Sequence, residues 1–379
     1  MSEQTALAER IREAIAHAGG AIPFDAFMRM ALYEPGLGYY ERAEVFGRGG
    51  DYVTAAELGP WLACGLFDLT HWGWQALGRP NRWVLIEQGG GSGKLLAQLV
   101  GLIHDSGMPP PVRVIEVEQS AQLRARQAEW FARKGLTVEQ FASLADVPNV
   151  DQALLFSNEL PDAFPVRCFR WRDGRMIERG VGWNNGAFCW REMDEVRDFF
   201  LPCALTSTWP EGYCGEWCPG LEIWQRELAA RLARGLVFTV DYGYARSEYY
   251  RPGRMEGTLL AHFQHRVVED VLARVGRQDI TAHVDFTRLA ELGRAQGLAP
   301  LLWMGQGAWL AQSPAVQHAI RQLSADRSPK AMALLAHAKR LLLPYGMGEV
   351  FKLLIQSIGV DAEPPQFLAR FRRTHALWK

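Results

Sequence analysis

The residues with the plainest chemical purpose are Glu87, Gly89, Gly91 and Gly93, spaced as ExGxGxG in a chain of 379 residues. They follow a short apolar run at 82–86 and precede Leu95, Leu96, Leu99, Val100 and Ile103, which recur at helical spacing. Glycines at alternate positions let a backbone turn sharply with positive φ and leave room for a ligand against the main chain. A nicotinamide-binding turn spaces its glycines as GxGxxG, and Lys94 breaks that count. A phosphate-binding loop needs a glycine at 88 and Ser or Thr at 95, where the chain has Gln88 and Leu95. An acid at position 87 suits a cationic ligand better than a pyrophosphate, and S-adenosyl-L-methionine carries both an ammonium and a sulfonium. Glu116 ends the next apolar run, where a carboxylate can accept both hydroxyls of a ribose, with Glu118 as a near competitor.

The elements that must position these groups can be read from periodicity. Strand, helix and strand at 82–86, 94–104 and 112–117 make a βαβ unit, and further strands are expected at 153–159, 235–243 and 349–355. Helices are expected at 3–18, 22–33, 61–77 and 287–296, with a helical region at 315–343. The pattern predicts an α/β, doubly wound Rossmann-like sheet with an N-terminal helical segment. Between two of its strands lies an insertion whose Asp173-Gly174 and Asn185-Gly186 turns flank aromatic and β-branched runs, predicting an antiparallel β-meander within a mixed subdomain. The expected division is 1–80 for the helical segment and cleft loop, 81–164 with 235–379 for the ligand-binding core, and 165–234 for the insertion.

Composition narrows the classes. The chain is 48% hydrophobic and 22% charged, as expected of a globular protein, and its net charge of −1 offers no broad cationic field for nucleic acid. No apolar stretch reaches about 18 residues, so no membrane insertion is expected. The polar start MSEQTALAERIREAI and six scattered cysteines point to a reducing cytoplasm. Cys203, Cys214 and Cys218 lack the paired spacing and the histidine of a zinc site, so no metal is expected. His262 and His265 read as surface histidines or as cleft lining. Trp171, Trp183 and Trp190 read as core, and an exposed cluster of them would mark a partner surface.

Eight blocks in order, FMRMALYEPGLGYY, GGDYVTAAELGP, IEQGGGSG, IEVEQS, SNELPDAFPV, VDYGY, HVDF and MGEVFKLL, resemble the MidA-type class I S-adenosylmethionine-dependent methyltransferases. These are bacterial relatives of a mitochondrial complex I assembly factor that methylates a protein arginine. The resemblance spans most of the chain. It implies that Asp51, Thr54 and Glu57 line the cofactor and acceptor cleft, and that the client is a protein, a respiratory-chain subunit among the candidates. A homodimer is compatible with it. An arginine acceptor is protonated, with a pKa above about 12, so it needs carboxylates to orient it and draw off a proton. Glu159 and Asp162, with Asn158 beside them, are the candidates, and capping or surface ion pairing is their plainer reading. Asp241 and Asp285 are equally compatible with structural roles.

The chain departs from the family at Gln88 and Gly90, where Leu and Pro are usual, and at Leu160 and Pro161, where aromatic or aliphatic residues are usual. Two other readings stand beside protein arginine methylation: a small-molecule O- or N-methyltransferase, and a non-catalytic S-adenosylmethionine-binding assembly factor.

Overall fold

A computed structural model describes residues 3–41, 57–264, 266–371 and 374–378. Asp51, Thr54 and His265 lie outside them. The chain divides into two units, one made of 1–52, 161–223 and 244–285, the other of 53–160, 224–243 and 286–379.

The larger unit is built on seven strands: β1 (Val84–Gln88), β2 (Arg113–Val117), β3 (Glu139–Phe141), β4 (Val150–Asn158), β5 (Leu232–Tyr244), β6 (Ala299–Gly305) and β7 (Phe351–Ile358). Their spatial order is β6-β7-β5-β4-β1-β2-β3. β1 to β5 run parallel, and β7 lies antiparallel between β5 and β6. From β1 the chain winds outward through β2 and β3, then returns to place β4 on the other flank of β1. That reversal is a topological switch point, and the carboxyl ends of the strands flanking it are where such sheets bind ligands.

The central strands are buried on both faces. This is why they read as continuous apolar runs rather than alternating ones, Leu154, Leu155 and Phe156 in β4 being nearly inaccessible. Helices α1 (Trp61–Ala76), α2 (Lys94–Asp105) and α3 (Ala121–Arg133) contribute the complementary stripes, Leu95, Leu96, Leu99 and Ile103 from α2 among them. The helical region expected at 315–343 is two helices, Pro314–Ala325 and Pro329–Leu342, each entered through a serine cap and a proline.

The smaller unit contains the expected meander. Strands Arg167–Arg172, Arg175–Asn184 and Ala187–Glu195 pair antiparallel in sequence, turning at Asp173-Gly174 and Asn185-Gly186, with Ala21–Pro23 and Cys214–Trp217 completing the sheet. The helices Glu3–His17 and Phe24–Tyr33 and a three-stranded sheet of Leu260–Phe263, Arg266–Val268 and Asp279–Thr281 belong to the same unit. Trp190 stacks on Phe24, Trp171 meets Trp209 edge-on, and Trp183 meets Phe188 edge-on. These tryptophans are therefore engaged with other rings rather than gathered into an exposed patch.

Candidate cofactor site

β1 delivers Glu87 and Gln88 to opposite faces of the sheet, because successive side chains of a strand alternate. Gln88 accepts a hydrogen bond from Trp224 Nε1 at 2.9 Å, donated from helix α4 (Gly220–Arg231). Glu87 is the register partner of Glu116 on β2, so the two carboxylates leave adjacent parallel strands on the same face. They are 2% and 0% exposed.

The turn that follows is shaped around them. Gly89 N–H donates to Val117 O at 2.8 Å, Gly93 N–H donates to Gly90 O at 2.8 Å, and Gly89, Gly91 and Gly93 all have positive φ. Gly90 N–H donates to Glu116 Oε1 at 2.8 Å. A Cβ at Gly90 would stand 2.5 and 2.6 Å from the Glu116 carboxylate oxygens and 2.7 Å from Glu87 Oε2, so both acids converge on this bare backbone. The Oε2 atoms of Glu87 and Glu116 are buried and have no hydrogen-bond partner among the described residues. Burial pushes Glu87 up to about 7, and burial together with the charge of Glu87 holds Glu116 well above the ordinary carboxylate range.

Glu118, the competitor for the ribose role, instead accepts from Ser120 N–H at 3.0 Å in the turn before α3. The register thus favours Glu116. Glu57 joins the far end of the turn, accepting from Ser92 Oγ at 3.0 Å and Lys94 Nζ at 2.5 Å. Three contributors carried no local signal in the sequence. Gln127 on α3 donates to Gly91 O at 3.1 Å, Gln140 on β3 donates to Gln127 Oε1 at 3.0 Å, and the Leu160 side chain lies 2.9 Å from where a Cβ of Gly89 would stand. Each acts across a long sequence separation.

At the end of β4, Asn158 Nδ2 donates to Glu159 Oε1 at 3.1 Å, and Glu159 N–H donates to Val240 O at 2.9 Å. Glu159 has φ 52°, a left-handed conformation that strains a residue bearing Cβ. Asp162 belongs to the smaller unit, where it is 5% exposed and its carbonyl accepts from Ala282 N–H. Asp241 lies within β5, with its carboxylate bonded to Tyr242 N–H, and Asp285 pairs with Arg246 at 3.6 Å. His262 is on a strand of the small sheet. Cys214 is buried and Cys203 exposed, all six cysteines are free, and among the described residues no cluster could hold a metal ion.

Two buried acids with idle oxygens fit a ligand that brings hydroxyl donors and positive charge, and the bare backbone of Gly90 lies against both of them. S-adenosyl-L-methionine has a ribose diol and two cationic centres, so the residues present fit it. Glu116 and Glu87 would hold its ribose and charged end, with Gly89, Gly91 and Gly93 under it.

The profile of an S-adenosyl-L-methionine-dependent methyltransferase family matches residues 70–304. A protein from Burkholderia thailandensis solved with S-adenosyl-homocysteine bound is 32% identical, with a TM-score of 0.88 over 98% of this chain and 97% of that one. A native structure of a protein of the same superfamily from the same organism is 31% identical, with a TM-score of 0.85 over 98% of this chain and 96% of that one. Protein arginine methyltransferase NDUFAF7 from Danio rerio is 27% identical over 88% of this chain and 83% of its own. The Drosophila melanogaster homolog is 26% identical over 94% and 86%. With the switch-point sheet, the glycine turn and its paired acids, these likenesses establish that the chain belongs to the S-adenosyl-L-methionine-dependent methyltransferase family and is an enzyme of that class.

Proposed function

We propose that the methyl acceptor is an arginine side chain in a protein client. The observation that carries this reading is Glu159, a carboxylate held at the end of β4, beside the cofactor strand β1, in a strained left-handed backbone with Asn158 fixing one oxygen. Strain of this kind persists where surrounding structure enforces it, and it concentrates at functional positions. The relatives from Danio rerio and Drosophila melanogaster, named protein arginine methyltransferases, support the same acceptor.

When bound, the cofactor supplies a methyl group made electrophilic by its sulfonium. The work of the chain is to present a nucleophile to it. Glu159 receives the guanidinium through charge-assisted hydrogen bonds, orients one nitrogen, and takes up the proton that must leave for that nitrogen to react. Asp162, a few residues on, is assigned as the second carboxylate from its place in the sequence alone. Asp51 and Thr54 remain assigned to the cleft on the family resemblance. A respiratory-chain subunit is the first client to test, met in the reducing cytoplasm that six free cysteines suit.

The test incubates the protein and labelled S-adenosyl-L-methionine with an extract from cells lacking the gene. Label on a protein band that hydrolyses to methylarginine supports the reading. Label confined to small molecules overturns it in favour of a metabolite acceptor. Cofactor binding without transfer, combined with full rescue of respiratory-complex maturation by a Glu159→Gln, Asp162→Asn protein, overturns it in favour of a scaffold.

A further inference from the structure

The glycine turn holds an arrangement that cofactor binding alone does not require. Glu87 and Glu116 are register partners, both nearly inaccessible, and their oxygens crowd the same side of Gly90. Two carboxylates this close in a buried setting cannot both carry charge unless something neutralises them. The neighbouring charges do not. Glu118, just past the end of β2, adds repulsion to both. Lys94, opening α2, is engaged by Glu57. Arg124 on α3 donates to the carbonyls of Glu118 and Gln119. The remaining donors are backbone groups, with Gly90 N–H on Glu116 and Leu96 N–H on Glu87.

We propose that Gly90 is a positioning residue that makes cofactor binding proton-coupled: its N–H fixes Glu116, and its lack of a side chain lets Glu87 and Glu116 close on each other and share one proton, which leaves when the ligand binds. The inference rests on the assignment of this turn as the cofactor site. The balance is simple. In the ligand-free protein one proton is held between the two carboxyl groups. The incoming ribose hydroxyls and positive charge supply donors and countercharge to both groups, and the displaced proton goes to solvent. No bond of the cofactor is made or broken. The raised values of both acids, with Glu87 near 7, put this exchange in the neutral range.

The test is calorimetry of S-adenosyl-homocysteine binding in two buffers of different ionisation enthalpy, repeated from about pH 6 to about pH 8. Wild-type protein should release close to one proton at the acid end, and affinity should rise about tenfold across that range, as expected for one group titrating near the middle of it. Glu87→Gln leaves Glu116 without an acidic partner and should flatten both responses. Gly90→Ala, whose methyl group would intrude on three carboxylate oxygens, should do the same while lowering affinity. Tight binding by the wild type with no buffer-dependent heat and no pH slope overturns the proton coupling and leaves the cofactor assignment standing. No binding at any pH overturns the assignment of the site and the coupling with it. An unchanged slope in a folded Glu87→Gln protein overturns the sharing of the proton.

Discussion

Both units bury glutamates, and they treat them differently. In the smaller unit Glu216 is 2% exposed, and its Oε1 accepts from Thr258 N–H at 2.8 Å, Thr258 Oγ and Tyr249 OH at 2.9 Å. Tyr250 OH adds a bond to its carbonyl. In the larger unit Glu87 and Glu116 are buried as deeply, yet each keeps an oxygen with no partner among the described residues. All three have raised pKa values, chiefly through burial. Burial and pKa therefore do not tell a structural acid from a ligand-binding one. The internal donors do: Glu216 gathers three of them on one oxygen and organises its own neighbourhood, whereas Glu87 and Glu116 each bury an oxygen that awaits donors from outside.

The most severe test of this contrast is Gly91→Val. A β-branched residue at φ 51° is strained and forces the turn to reshape, so S-adenosyl-homocysteine binding should disappear while the melting temperature falls only a few degrees. Undiminished affinity in calorimetry would move the site elsewhere. Next comes Glu216→Ala, which strands three buried donors. We expect about 3 kcal/mol or more of lost stability in denaturant titrations, with affinity preserved in the protein that remains folded. If Glu216→Ala weakened ligand binding instead of stability, the division between the two kinds of acid would collapse.

Glu159→Gln sharpens the comparison from the acceptor side. It keeps size and hydrogen bonding but removes charge, so turnover should fall about 100-fold while cofactor affinity stays within about twofold. Glu116→Ala should cost about 1.5–3 kcal/mol of affinity, the range for hydrogen bonds to a charged group, with little loss of stability. A larger loss for Glu118→Ala would mean that the strand register has been misread.

The smallest effect is on stability against pH. Glu87 and Glu116 have folded-state values above those of an unfolded chain. Their contribution is therefore complete below the ordinary glutamate range and is lost as the pH rises through about 7. His283, pushed down to about 4 by burial, acts oppositely, its contribution being present above the ordinary histidine value and lost as the pH falls toward 4. Melting of the ligand-free protein should thus peak in mildly acidic solution, and Glu87→Gln should flatten the alkaline slope. An unaltered slope in that variant would assign the loss to other groups.

The cofactor end of the molecule was readable because its signals are local. A strand, an acid and alternate glycines occur within a dozen residues, and Glu116 follows at the end of the next apolar run. The partners of the turn were not readable: Gln127 reaches Gly91, and Trp224 reaches Gln88, through contacts that only the folded sheet creates. The departure at Gln88 makes sense only with that tryptophan in view. Among the strands, Glu139–Phe141 is too short and too polar to show a period, and Ala299–Gly305 is hidden in a run that begins Ala-Pro. The three short strands between 260 and 281 are interrupted by charged loops, which mask alternation. The break between the two helices at 314–342 was written in Ser328 and Pro329, a cap and first-turn pair that the broad helical reading passed over.

The position of β7 has a consequence for how the protein is made. Among the described strands it comes last in chain order, yet it is inserted between β5 and β6, and its pairing with β5 runs without a break from Gly235 to Tyr242. Until residues 351–358 emerge, β5 and β6 have nothing to join them, and a long apolar strand edge stays open to other nascent chains. Synthesis must have passed residue 358 before the sheet can close. Loss of residues 351–358 would therefore be felt inside the sheet rather than at its edge.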